Sequence, residues 1–256
     1  TIVDPKKFAN IDKYIDELLS LYDKRSAAFG EEWNNLGRKA QTLEQYRPTQ
    51  VEQIYTLYKS AAEKGGNQLD QQFCVQYLQS TIKYLASIKA NKEQMSELFD
   101  VYDYASETME QAQTDAANEL DSATQINDTK LMQKYQLELD NSKSNIAALE
   151  QLIEPYASCD KIIPIYENKF KANPNDLELL KKLTTNLERK GCTDNDLFFQ
   201  ATENLYKLQP TPKSGFLMGQ MALSKKQYSD AAKYFQDAEN SFTDRASKAK
   251  AAFQLA

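Results

Sequence analysis

Three cysteines, Cys74, Cys159 and Cys192, are the residues of this 256-residue chain best suited to making or breaking a bond. None belongs to a C-x2-C pair, so the spacing that holds a structural zinc or runs a dithiol redox cycle is missing. The chain has no histidine at all. A Ser or Cys nucleophile therefore lacks its usual base, and the commonest transition-metal ligand is absent. Carboxylates cluster at Glu31-Glu32 and at Asp100 and Asp103, as they do on any solvated helix face. Gly65-Gly66 has neither the preceding strand nor the following Lys-Ser/Thr that a phosphate loop requires. The expectation is a non-enzymatic chain with no catalytic residues, no cofactor and no metal.

The elements that hold these residues read as helices throughout. Only 7 Gly and 7 Pro punctuate the chain, β-branched runs are scarce, and apolar residues recur at i, i+3, i+4, i+7. In the first such run, Ile11, Tyr14, Ile15, Leu18, Leu21 and Tyr22 make one buried stripe that Gly30 ends. The net charge of −6 has both signs interspersed, which disfavours nucleic acid as a partner. No run of 18 apolar residues spans a membrane. The chain starts at Thr1 rather than Met and stops inside an apparent helix, so both ends read as cut. A missing targeting segment then says nothing about the whole protein.

Two stretches carry the repeat signal. In the first, Trp33-x2-Leu36-Gly37-x2-Ala40 is followed by Ile54, Tyr58 and Ala61. In the second, Phe216, Met218, Gly219 and Ala222 mark a first helix, and Tyr228, Ala231, Phe235 and Ala238 mark a second. Small residues at Gly219, Ala231 and Ala238 fit a close approach of the two helices, with Tyr228 and Phe235 filling the space between them. These patterns resemble the tetratricopeptide repeat, whose consensus has a Leu-Gly pair on its first helix and A-x3-F on its second. Pro174 and Pro210 are spaced close to the period of about 34 residues expected for such repeats. The resemblance implies an all-α fold: an α-solenoid of antiparallel helix pairs, continuous and truncated at both ends. Three regions are expected, 1–66 and 159–256 of repeat type and 67–158 a long helical hairpin.

Within the middle region, 106–144 reads as an antiparallel hairpin projecting beyond the solenoid, with Asn127-Asp128 as its turn. Asn67 or Asn91 reads as a helix cap, Asn91 with Gln94 as a capping box. Cys74 reads as plain core. In the helix beginning near Cys159, Asp160 is the expected cap and Pro164 is expected in the first turn. Asp194 or Asn195 caps the helix that ends before Pro210.

Cys159 and Cys192 lie 33 residues apart, about one repeat. Stacking of successive units brings them near each other. Equivalent points of stacked pairs are about 10 Å apart, however, and a bridge needs Cα atoms within about 7 Å. A disulfide and two buried free thiols both remain open.

By resemblance, the first helices of such repeats line a concave groove that takes a peptide or a partner's helix. The outward positions are Asn34, Arg38 and Gln41, then Lys181, Thr185 and Glu188, then Phe216 and Gln220. The expected function is a protein–protein interaction scaffold or adaptor. The segments IDKYIDELLSLYDKR, ASCDKIIPIYENKF, RKGCTD and ENLYKLQP also resemble uncharacterised bacterial repeat proteins of the cell envelope. That likeness implies a periplasmic or envelope location. It also implies an alternative role as a lipoprotein component of a glycan-uptake or outer-membrane assembly system.

Overall fold

The structure, a computed structural model, describes residues 11–243 and 245–255, apart from the side chains of Asn67, Arg245 and Ala246. Twelve α-helices and two short 3-10 turns make up the regular structure of the described residues. They divide into two compact units, the first ending at Ile153 and the second beginning at Glu154.

The first unit holds α1 (Ile11–Phe29), α2 (Trp33–Tyr46), α3 (Val51–Gly65), α4 (Gln71–Ser87), α5 (Ser96–Gln125) and α6 (Thr129–Ile153). Each helix packs on the next, and α4 also touches α6. Local chemistry sets the helix starts. The Asp70 carboxylate accepts the Phe73 amide at 2.7 Å and opens α4, and Asp128 accepts from Lys130 and Leu131 at 3.0 and 3.1 Å to open α6. These carboxylates satisfy amides that have no partner inside the helix and complement the positive end of its dipole.

Phe73 is the hub of this unit. Its ring meets Tyr58 edge-on at 5.2 Å, and a Cβ at Gly37 would lie 3.1 Å from it. Gly37 thus lets α2 close onto α4, which is the packing reason for a glycine in that helix. Burying side chains the size of Tyr58, Phe99 and Tyr102, each 1% exposed or less, stabilises by about 1.5–3 kcal/mol apiece.

The 30-residue α5 and 25-residue α6 are each about 40 Å long and turn at Asn127, whose φ is +54°. They belong to the same compact unit as the N-terminal helices. Gln71 donates to Ser142 at 2.8 Å and accepts from Asn145 at 3.2 Å, tying α6 to α4. Between 110 and 141, the buried apolar residues among those described are Ala116 and Ala123. The outer hairpin is therefore closed by alanines seven residues apart, and Ile126 and Leu137 stay exposed.

The second unit holds α7 (Cys159–Ala172), α8 (Leu177–Arg189), α9 (Asp196–Leu208), α10 (Pro212–Ser224), α11 (Tyr228–Ser241) and α12 (Arg245–Phe253). Asp176, Asn195 and Thr211 cap α8, α9 and α10, the last through a reciprocal box with Ser214. Leu180, Leu183 and Leu187 face inward and are fully buried. Asn186 donates to the Tyr166 hydroxyl at 2.6 Å, placing a satisfied polar pair in the core. In the last three helices, Phe216, Ala222, Ala231, Phe235, Ala238 and Ala251 form one buried cluster. Gly219 sits directly on the Phe235 ring, which a Cβ would approach to 2.6 Å.

Several expectations need correction. Tyr228 does not fill the space between α10 and α11; it is 65% exposed, and the buried side chains these two helices give to their common cluster are Phe216, Ala222, Ala231, Phe235 and Ala238. Pro164 is the sixth residue of α7, not a first-turn residue, so the Asp160 carbonyl loses its amide donor. Asp160 is not the cap of α7, whose N-cap residue is Ser158. Asp70 caps α4, and the Asn67 side chain lies outside the described residues. Asn91 and Gln94 do exchange reciprocal bonds at 2.9 Å, but they brace a turn ahead of α5. Of the expected α1 stripe, Ile15 is buried, whereas Tyr14, Leu18 and Leu21 are exposed.

Candidate functional site

The structure joins Cys159 and Cys192 in a disulfide with a Cα–Cα distance of 5.6 Å. The two cysteines are not equivalent points of successive repeats. Cys159 opens α7, and Cys192 follows α8, the helix that returns antiparallel beside α7. Gly191 takes φ +69°, and the Cys192 amide bonds back to the Leu187 carbonyl at 2.8 Å. This helix-ending turn uses the left-handed conformation that glycine adopts without strain and carries Cys192 to the open end of the α7–α8 pair. Cys74 is free and buried, and burial pushes its thiol up to about 12.

The positions expected to face a partner fall into three groups. Asn34 and Arg38 are exposed on α2. Gln41 is exposed too, but it donates to Gln76 of α4 at 2.8 Å. Lys181 pairs with Glu178 within α8 at 3.0 Å, and Thr185 is half-buried beside it.

The third group faces inward. Phe216 is 2% exposed and packs against Phe235 at 5.3 Å. α11 and α12 cover the face that repeat register alone assigns to solvent. The Glu188 side chain is 9% exposed and holds Lys213 and Lys250, the latter at 2.7 Å. Burial opposes its charge, but the two ammonium groups outweigh burial and lower its pKa. Glu188 thus clamps α8, α10 and α12 together. The half-buried Gln220 has a side-chain oxygen with no hydrogen bond.

Two features stand out on the first unit. One is the uncovered edge of α1, where Tyr14, Leu18 and Leu21 are 62%, 38% and 59% exposed at i, i+4, i+7 spacing. The other is a polar wall where α3, α4 and α5 meet. Tyr55 stacks on Tyr84 at 4.2 Å and donates its hydroxyl to Glu97 of α5. Lys59 donates to the same carboxylate at 2.6 Å. Burial raises the Tyr55 hydroxyl, and Glu97 reinforces that shift. The hydrogen bond to Glu97 keeps Lys59 charged against the opposing effect of burial. For Glu97, burial is overcome by the bonds from Lys59 and Tyr55, and its pKa falls. Lys39 and Lys64 pair with Asp23 and Glu31. Trp33 is half-buried, with its indole N–H on Gln68 at 3.1 Å.

Among the described residues, no group of three or more His, Cys, Asp or Glu is placed to hold a metal ion. No described helix is long and apolar enough to cross a membrane.

No protein-family model matches the chain, and no curated protein matches it. Among solved structures, it is similar to the crystal structure of a tetratricopeptide repeat protein from Parabacteroides merdae ATCC 43184. The two are 13% identical, with 98% of this chain and 96% of that one covered and a TM-score of 0.32. The all-α, pairwise-packed architecture described above rests on this chain's own helices and contacts.

Proposed function

We propose that this chain is a non-enzymatic scaffold that binds a protein or peptide partner, and that it works in an oxidising compartment, the periplasm or cell envelope. The observation that carries the binding role is the Tyr14–Leu18–Leu21 edge of α1, three large apolar side chains in a row on one exposed helix face. Soluble surfaces seldom leave such a row to water unless another protein covers it. The Cys159–Cys192 bridge supports the compartment, because reducing cytosol keeps such thiols apart. Asn34 and Arg38 add polar contacts on the neighbouring helix.

A photoreactive phenylalanine analogue placed at Leu21 tests this reading in the source cells, with the exposed Leu137 of the α5–α6 hairpin as control. The expected result is a protein adduct of one discrete mass from position 21 and none from position 137. Equal labelling from both positions, or none from 21, overturns the reading. A glycan-array signal that persists without any protein adduct transfers the case to the envelope glycan-uptake alternative.

A further inference from the structure

Helix α7 is tied to α8 at both ends. The turn 173–176 joins them at one end, and the Cys159–Cys192 bridge joins them at the other. Between these ties α7 is lightly secured. It packs mainly on α8, with a smaller contact to α9. Pro164 leaves the Asp160 carbonyl without its amide donor. Ser158 gives α7 no side-chain cap bond, whereas side chains cap α8, α9 and α10. What α7 buries is Ile162, Ile165, Tyr166 and Phe170, with the Tyr166 hydroxyl bonded by Asn186 of α8 at 2.6 Å. Ordering its 14 residues costs chain entropy comparable to what burying four such side chains returns. The bridge holds the far end of α7 beside α8, which removes much of that entropy from the open state.

The bridge is also open to attack from one side. Cys159 is exposed, while Cys192 is 3% exposed. Exchange with a thiol therefore begins at the Cys159 sulfur. The Lys190 carbonyl lies 3.6 Å from the Cys192 sulfur, an acceptor already in place for the thiol that reduction makes there. A thiolate on Cys159, the first residue of α7, stands at the positive end of the helix dipole, which favours its departure from a mixed disulfide.

We propose that the Cys159–Cys192 bridge is a reducible latch on α7, and that a dithiol reductant releases this helix while α8–α12 stay folded. One thiolate of the reductant attacks the Cys159 sulfur, the Cys159–Cys192 bond breaks, and Cys192 leaves. The second thiolate then attacks the reductant's own sulfur in the mixed disulfide and expels Cys159. Two electrons pass to the protein, the two protons lost by the reductant end on the cysteines, and the reductant becomes a disulfide. Release bares the face of α7 that carries Ile162, Ile165, Tyr166 and Phe170, an apolar surface that the oxidised protein keeps covered. The inference goes beyond the scaffold reading and does not need the α1 edge.

The test is native-state hydrogen exchange, read by mass spectrometry of peptic fragments at urea concentrations below the unfolding transition, with dithiothreitol as the dithiol. Dithiothreitol is expected to reduce the bridge without urea. The α7 amides should then open about a hundredfold more often than in the oxidised protein. Their exchange should rise with urea at less than about half the slope of the α9 and α10 amides, because a local opening exposes less surface. The Cys159→Ser, Cys192→Ser double variant should match the reduced protein and ignore dithiothreitol. Pro164→Ala restores the missing amide and should slow α7 opening about tenfold in the reduced protein. A bridge that dithiothreitol leaves intact without denaturant overturns the proposal. So does α7 exchange unchanged by reduction, or a double variant that behaves like the oxidised protein. Exchange of α7 with the urea slope of α9 and α10 also overturns it, since the helix then opens only with the whole unit. Opening in Pro164→Ala as frequent as in wild type does the same.

Discussion

Two glycines in one helix make opposite demands, and alanine at each separates them. Gly215 and Gly219 lie one turn apart in α10. Replacing glycine by alanine inside a helix stabilises it by about 1 kcal/mol, because the unfolded chain loses freedom. At Gly215 the new Cβ would meet its nearest neighbour, Tyr206, at 3.8 Å, an ordinary contact. At Gly219 it would lie 2.6 Å from two Phe235 ring atoms, well inside contact distance. The ring has no free space to retreat into: Phe235 is 1% exposed and already packs on Phe216 at 5.3 Å. Overpacking of this kind costs about 1–3 kcal/mol.

Gly215→Ala should therefore be stabilising and Gly219→Ala neutral to destabilising, with about 1–3 kcal/mol between them. The propensity gain largely cancels in that difference. Urea unfolding of the full chain, followed by circular dichroism, measures it as a shift in midpoint at constant slope. Both sites lie in the same compact unit, so they report on one transition. Phe235→Leu should cost less in the Gly219→Ala background than in wild type, a coupling of about 1 kcal/mol. If Gly219→Ala resists urea as well as Gly215→Ala does, close helix contact is not what keeps a glycine there.

The disulfide closes a 33-residue loop, which by chain entropy stabilises by about 3–4 kcal/mol; reduction should lower the urea midpoint of the second unit accordingly. Thiol titration under denaturing, non-reducing conditions should give one thiol, Cys74, and a count of three contradicts the bridge. In the native state that thiol should react with iodoacetamide at pH 8 far more slowly than a free cysteine, since burial suppresses its thiolate. Glu188 has a folded pKa below its unfolded value of about 4.3, so its contribution is full above that pH and fades as pH falls through the folded value. Glu188→Gln should remove about 1 kcal/mol at pH 7, where both lysines are half in water. It should also flatten the decline in stability below pH 4.5; an unchanged acid limb rejects the clamp.

Much of the architecture is legible in apolar spacing, because i, i+3, i+4 patterns fix helices and small residues mark where they touch. Gly219 against Phe235 is the clearest case. Helix ends are less legible. Lys89, Asn127 and Lys226 all take positive φ, and the amide after each reaches back five residues to the helix, as Ala90 does to Leu85 at 3.0 Å. No glycine announces these turns. Solvent-facing positions are the least legible. Phe216 and Glu188 fall on nominally outward positions, but α12 supplies Ala251 to the same cluster as Phe216 and Lys250 to Glu188, from 62 residues away in the second case. The α1 stripe fails in the opposite sense, since the sequence shows an apolar face without showing how much of it is covered.

The central claim is that the chain acts by holding another protein on its exposed helix faces. Quantitative co-purification from the source cells, comparing wild type with a Tyr14→Asp, Leu21→Asp double variant, measures this directly. Both side chains are largely in water, so the variant should keep the wild-type urea midpoint. The account predicts a protein recovered in near one-to-one amount with wild type and lost with the variant. Recovery of the same proteins in the same amounts with both contradicts it.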